Sequence, residues 1–136
     1  MSRIHVTDEY FPLVYVIAAD ADTEAWAAAM DQIEAIYRRR EPFVHLSDTS
    51  AVRSVPSPKL RKLLADRALD MRPLVKEYSL GDARVVTSNL VRGAMTAISW
   101  IYTHPAPLKH FGTLGEGIDW CVEQLEQADV RVPEKV

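Results

Sequence analysis

From Ala83 to Leu125 the chain is punctuated so clearly that few architectures accept it. Arg84-Val85-Val86-Thr87 is a β-favouring run, and Ser88 or Asn89 can cap a helix extending to about Tyr102. That helix carries Leu90, Ala94, Ala97, Ile98 and Ile101 on one side, with Arg92-Gly93 in its first turns and Trp100 near its end. Pro105-Ala106-Pro107 breaks it, and Leu108 to Phe111 has the length of a short edge strand. Thr113-Leu114-Gly115-Glu116 then has capping-box spacing and opens a last helix that contains Trp120. Strands and helices alternating over such short connections require a sheet covered by helices, the α/β class. No catalytic motif falls in this stretch.

The N-terminal half repeats the alternation. Ile4-His5-Val6 and Leu13 to Ile17 read as a hairpin, or as a short edge strand leading into a buried one. Asp20 and Asp22 precede a helix over about Thr23 to Arg39, with Trp26, Met30, Ile33, Ile36 and Tyr37 as its apolar stripe. Phe43 to Leu46 is expected to be a second buried strand, followed by a polar connection from Asp48 to Pro56. Ser57 as N-cap with Pro58 at the first helical position starts the next helix, whose apolar phase continues through Pro73. A kinked helix, or two abutting helices, is therefore expected there. Gly81-Asp82 is expected to turn into the strand at Arg84. The sum is one domain over residues 1–129, a mixed sheet of four to five strands with about four helices. A polar tail, 130–136, is expected to fray.

At 136 residues, 48% of them hydrophobic, the chain can bury a single core without disulfides or metal. The net charge of -3 argues against a nucleic-acid partner, and no apolar run reaches the roughly 20 residues of a membrane span. One cysteine and no signal-peptide pattern suit a cytoplasmic protein.

Side chains able to do chemistry are few. His5, His45, His104 and His110 lack metal-helix spacing; His104 and His110 straddle two prolines, and His45 reads as a core or layer-facing histidine. Cys121 lies on the apolar face of the last helix, where an inert buried thiol is expected. The glycines at 112, 115 and 117 are in the wrong order for a dinucleotide fingerprint. Arg92 sits where α/β proteins often bind ligands, although a surface pairing with an acid explains it as well. Asp20, Asp22 and Asp48 all follow strands, yet two of them suffice as caps or turn formers.

The order of elements resembles the STAS-like fold of anti-sigma-factor antagonists. It also resembles a related bacterial group of small proteins classed with STAS and CRAL-TRIO lipid-binding domains. The residues carrying the likeness to that group are RVVTSNLVRGAMTAISW, the proline break, Phe111, and EGIDW from Glu116 to Trp120. The resemblance implies regulation or binding through protein contact, with no shared catalytic site and no cofactor. Antagonists of this kind carry a phosphorylatable serine beside an aspartate after a central strand. Asp48-Thr49-Ser50 is the matching segment, with Ser50 the nearest counterpart and Thr49 next, although residues 52–56 intervene before the helix. The expectation is a non-enzymatic regulatory or scaffolding protein with a protein partner, self-association remaining open. The alternative is a module for a lipid or other apolar ligand, using Arg92, Trp100, Phe111 and Trp120 as contacts and Trp26 beside them.

Overall fold

The computed structural model describes residues 4–101 and 104–133, the side chains of 97–101 excepted. Five strands form one sheet in the order β1-β2-β3-β4-β5: β1 (Ile4–Thr7), β2 (Leu13–Ala19), β3 (Phe43–Ala51), β4 (Ser79–Val85) and β5 (Leu108–Phe111). β1 is antiparallel to β2, and the other pairings are parallel. Four helices complete the described part: α1 (Thr23–Tyr37), α2 (Pro58–Tyr78), α3 (Asn89–Ile101) and α4 (Leu114–Gln127). None of the described helices is long and apolar enough to cross a membrane.

Alternation along the strands feeds two cores. Val14, Val16, Ala18 and Phe43 meet Ala29, Ile33 and Ile36 of α1 and Met71 and Val75 of α2 on one face. Leu13, Val44, Leu46, Ala83 and Val85 meet Cys121 and Leu125 of α4 on the other. Val44 of β3 is buried, as a strand covered from two sides requires; Val86 is buried too but lies just past β4, which runs from Ser79 to Val85 rather than from Arg84 to Thr87 as expected. Helix starts follow the cap chemistry: Asp22, Ser57 and Thr113 accept the N–H of Ala25, Leu60 and Glu116. Arg67 of α2 pairs with Asp31 of α1 at 2.9 Å. Val130 and Val132 pack on the α4 core, so this part of the expected tail is laid against the domain.

Two further local expectations are corrected. Gly81 and Asp82 are not a turn; they lie inside β4, where Gly81 pairs with Val44. Glycine is needed there by close approach, because a Cβ would stand 2.8 Å from Cη2 of Trp120. Asp48, Thr49 and Ser50 are not a connection after a strand but its last residues but one, since β3 runs on to Ala51. Flanking strands on both sides supply the hydrogen bonds that override their turn-forming chemistry. Of the two alternatives expected at Pro73, the structure has a single helix rather than two abutting ones, the missing N–H tolerated within α2.

Candidate functional site

Ser50 and Asp48 make a compact pair near the C-terminal end of β3. The Ser50 hydroxyl donates to Asp48 Oδ1 at 2.6 Å and the Ser50 N–H to the same oxygen at 3.0 Å. Asp48 stands opposite Ile17 of β2 in register, and Ile17 is 42% exposed. Residues two apart on a strand share a face, so Tyr15 and Ile17 flank Asp48 on the side that carries α4, whose packing is mainly against β3, β4 and β5. Desolvation first, then the Asp48 charge, pushes the Tyr15 hydroxyl above its ordinary pKa. Thr49 faces the other way, is buried, and donates its hydroxyl to the Val85 carbonyl at 2.7 Å. Of the two hydroxyls matched to the switch position, Thr49 is thus engaged in closing the sheet and Ser50 stands at the surface of the pair.

A second constellation was not anticipated. On the α1/α2 face, His45 and Ser47 of β3, Asp82 and Arg84 of β4, and His110 of β5 form a polar layer across three strands. Asp82 Oδ2 lies 3.2 Å from an Arg84 nitrogen and 3.5 Å from His104 Nε2. His45 Nε2 and Ser47 Oγ are 3.2 Å apart. Among the described residues, Asp82 Oδ1 and His110 Nε2 are buried without a hydrogen-bond partner. Desolvation would raise the Asp82 pKa, but Arg84, His45 and His104 outweigh it and hold the carboxyl below its usual range. Desolvation lowers the pKa of His45, His104 and His110, partly offset in each by the Asp82 charge and reinforced by Arg84. Among the described residues no group of three or more His, Cys, Asp or Glu is placed to hold a metal ion. A sequence signal existed: His45 and Ser47, and Asp82 and Arg84, each alternate with apolar neighbours. It was hidden because each pair alone reads as an isolated polar residue on a strand.

The layer has a pH signature. Burial pushes the pKa of all three histidines below the ordinary value of 6.5, so the native state takes up their protons only at lower pH than the unfolded chain does. The unfolded state then binds more protons, so their contribution is fully present above pH 6.5 and is lost as pH falls through and below that value. Urea unfolding from pH 8 to pH 5 should show a midpoint that declines below 6.5, and His45→Gln should flatten the decline. A midpoint flat across that interval would mean the histidines are solvated in the native protein.

The remaining candidates are dispersed. Arg92 donates to the Val86 carbonyl at 3.0 Å, tying the first turn of α3 to the end of β4. Phe111 and Trp120 pack on each other, ring centroids 5.8 Å apart, as part of the α4 core. The side chain of Trp100 lies outside the described residues. Cys121 is fully buried, and desolvation, followed by the Asp82 charge, pushes its thiol up to about 12, so no thiolate nucleophile is available there. Asp20 and Asp22 lie together with Trp26 around a groove at the ends of β2 and β3, away from Asp48 and Ser50 in role if not in element.

A mixed five-stranded sheet with its first strand antiparallel at one edge, two helices on one face and a C-terminal helix on the other is a STAS-like α/β fold. The chain is similar to the crystal structure of an anti-sigma factor antagonist from Mycobacterium paratuberculosis, with a TM-score of 0.57 and 19% sequence identity. The likeness covers 87% of this chain and 92% of that one, and at this identity it establishes the fold. No family model and no curated protein matches the chain.

Proposed function

We propose that this protein is a non-enzymatic regulator that works by docking another protein on the face of its sheet beside Tyr15 and Ile17 of β2, under control of Ser50. The observation carrying this reading is the Ser50–Asp48 pair beside exposed Ile17, on a fold shared with an anti-sigma factor antagonist. Ile17 and Tyr15 supply apolar area for a partner, and the hydroxyl supplies the switch. A phosphate on Ser50 adds about -1.5 to -2 charge beside the Asp48 carboxylate. It would displace the short hydroxyl–carboxylate bond and repel an acidic partner or recruit an arginine. Cytoplasmic residence fits such a role.

The test joins phosphoproteomics of the native protein to partner recovery with Ser50→Ala, Ser50→Asp and Ile17→Asp. Ser50→Ala should retain the partner, whereas Ser50→Asp and Ile17→Asp should lose most of it. Unmodified Ser50 in cells, with equal recovery by all three variants, would defeat the reading. The apolar-ligand alternative loses Phe111 and Trp120 to the α4 core, and of the aromatic residues singled out in the sequence Trp26 lines the groove.

A further inference from the structure

Three basic side chains come together at the carboxyl ends of β4 and β5. Arg84 stands opposite His110 in the parallel register, so the two side chains share a face of the sheet. The β4–α3–β5 crossover steps across the sheet in the same direction as the two before it, which places α3 over that face. From the first turn of α3, Arg92 reaches back to the Val86 carbonyl. The Val86 N–H in turn donates to the carbonyl of Phe111, the residue after His110, at 2.9 Å. Ligand sites of open α/β sheets lie outside the carboxyl ends of their strands, where these three residues are.

The charges there do not cancel. Arg84 is paired with Asp82 at 3.2 Å and keeps 30% of its side chain exposed. Arg92 is exposed, and among the described residues its guanidinium bonds a carbonyl oxygen and no carboxylate. Desolvation, then the Arg84 and Arg92 charges, lower the His110 pKa, and the Asp82 charge opposes them. Two guanidiniums and one carboxylate thus act on this ring, which leaves a positive excess. His110 Nε2 is enclosed and meets no hydrogen-bond partner among the described residues. A ring nitrogen so placed is costly, and a ligand oxygen would relieve the cost. Guanidinium forks match the oxygens of a phosphate group, and an imidazole beside them adds a further donor.

We propose that Arg84, Arg92 and His110 bind a phosphate monoester. Its oxygens accept from the two guanidiniums and from His110 Nε2, the exposed Arg92 side chain turning from the Val86 carbonyl onto the ligand. The site lies on the α3 side of the sheet and uses none of the side chains of the proposed docking face.

The experiment titrates the full chain with inorganic phosphate, phenyl phosphate and phenol. Calorimetry gives affinity, and amide and imidazole chemical shifts give the place of binding. Both phosphates should bind saturably and phenol should not, with affinity falling as sodium chloride is added. Shifts should concentrate at residues 84–92 and 108–111. Arg92→Gln should weaken phosphate binding about tenfold, the loss of one charged donor, and Arg92→Lys should recover part of it. His110→Gln should weaken it as well, and amide spectra show that each variant is folded. Flotation with phosphatidylcholine vesicles, with and without phosphatidic acid, separates two sources of the same group. Capture by phosphatidic acid that Arg92→Gln loses places the phosphate on a lipid, and binding in solution alone places it on a small molecule. Phenol binding as tightly as phenyl phosphate, no saturable phosphate binding in solution or on vesicles, Arg92→Gln binding as wild type does, or shifts centred elsewhere would each overturn the proposal.

Discussion

Asp82→Ala should lower the stability of the domain by about 3 kcal/mol, a large share of what a chain of this size possesses. The Asp82 side chain is 6% exposed and holds both Arg84 and His104. Removing it leaves the guanidinium without its carboxylate in a half-dry layer. Arg84 retains 30% side-chain exposure and can recover some hydration, which places the expected loss at the lower end for a broken buried ion pair. Asp82→Asn preserves shape and one acceptor, so it should cost less. Chemical denaturation of both variants at pH 7 is the measurement. Equal, small losses below about 1 kcal/mol would show that the Asp82–Arg84 pair contributes nothing net.

Trp120→Ala should cost a similar amount, about 3 kcal/mol, because its ring joins α4 to two strands. It packs on Phe111 of β5 and covers Gly81 of β4. The same contact explains a second result. In Gly81→Ala the new Cβ would meet Cη2 and Cζ3 of Trp120 at 2.8 and 3.0 Å, forcing the ring off the sheet at a cost of about 1–3 kcal/mol. Trp120→Phe, which shortens the ring, should return part of that loss when combined with Gly81→Ala. Strict additivity of the two substitutions would mean that ring and glycine do not share the contact. A loss under about 1 kcal/mol in Trp120→Ala would place the ring in solvent rather than in the core.

The element order was legible because its signals are local. Asp22, Ser57 and Thr113 cap helices through bonds to residues three along, and Leu108 to Phe111 sits between a proline break and a glycine. β-favouring apolar runs likewise identified Leu13 to Ile17 and Phe43 to Leu46 as buried strands. The resemblance drawn from those elements pointed to the STAS-like fold that the structure has.

What could not be read locally was how far strands run and which polar residues meet. Asp48-Thr49-Ser50 has turn chemistry in isolation, and only pairing with Ile17 and Val85 on neighbouring strands makes it strand. Gly81 looks like a turn glycine until Trp120, some forty residues later, is seen to occupy the space of its missing side chain. His45, Asp82 and His110 are separated by tens of residues, and parallel register alone aligns them on one face. The sequence determines which residues prefer to cap, extend or bury, because those preferences act within a turn or two. The tertiary structure decides register and layer, because they are set by contacts between segments that are distant along the chain.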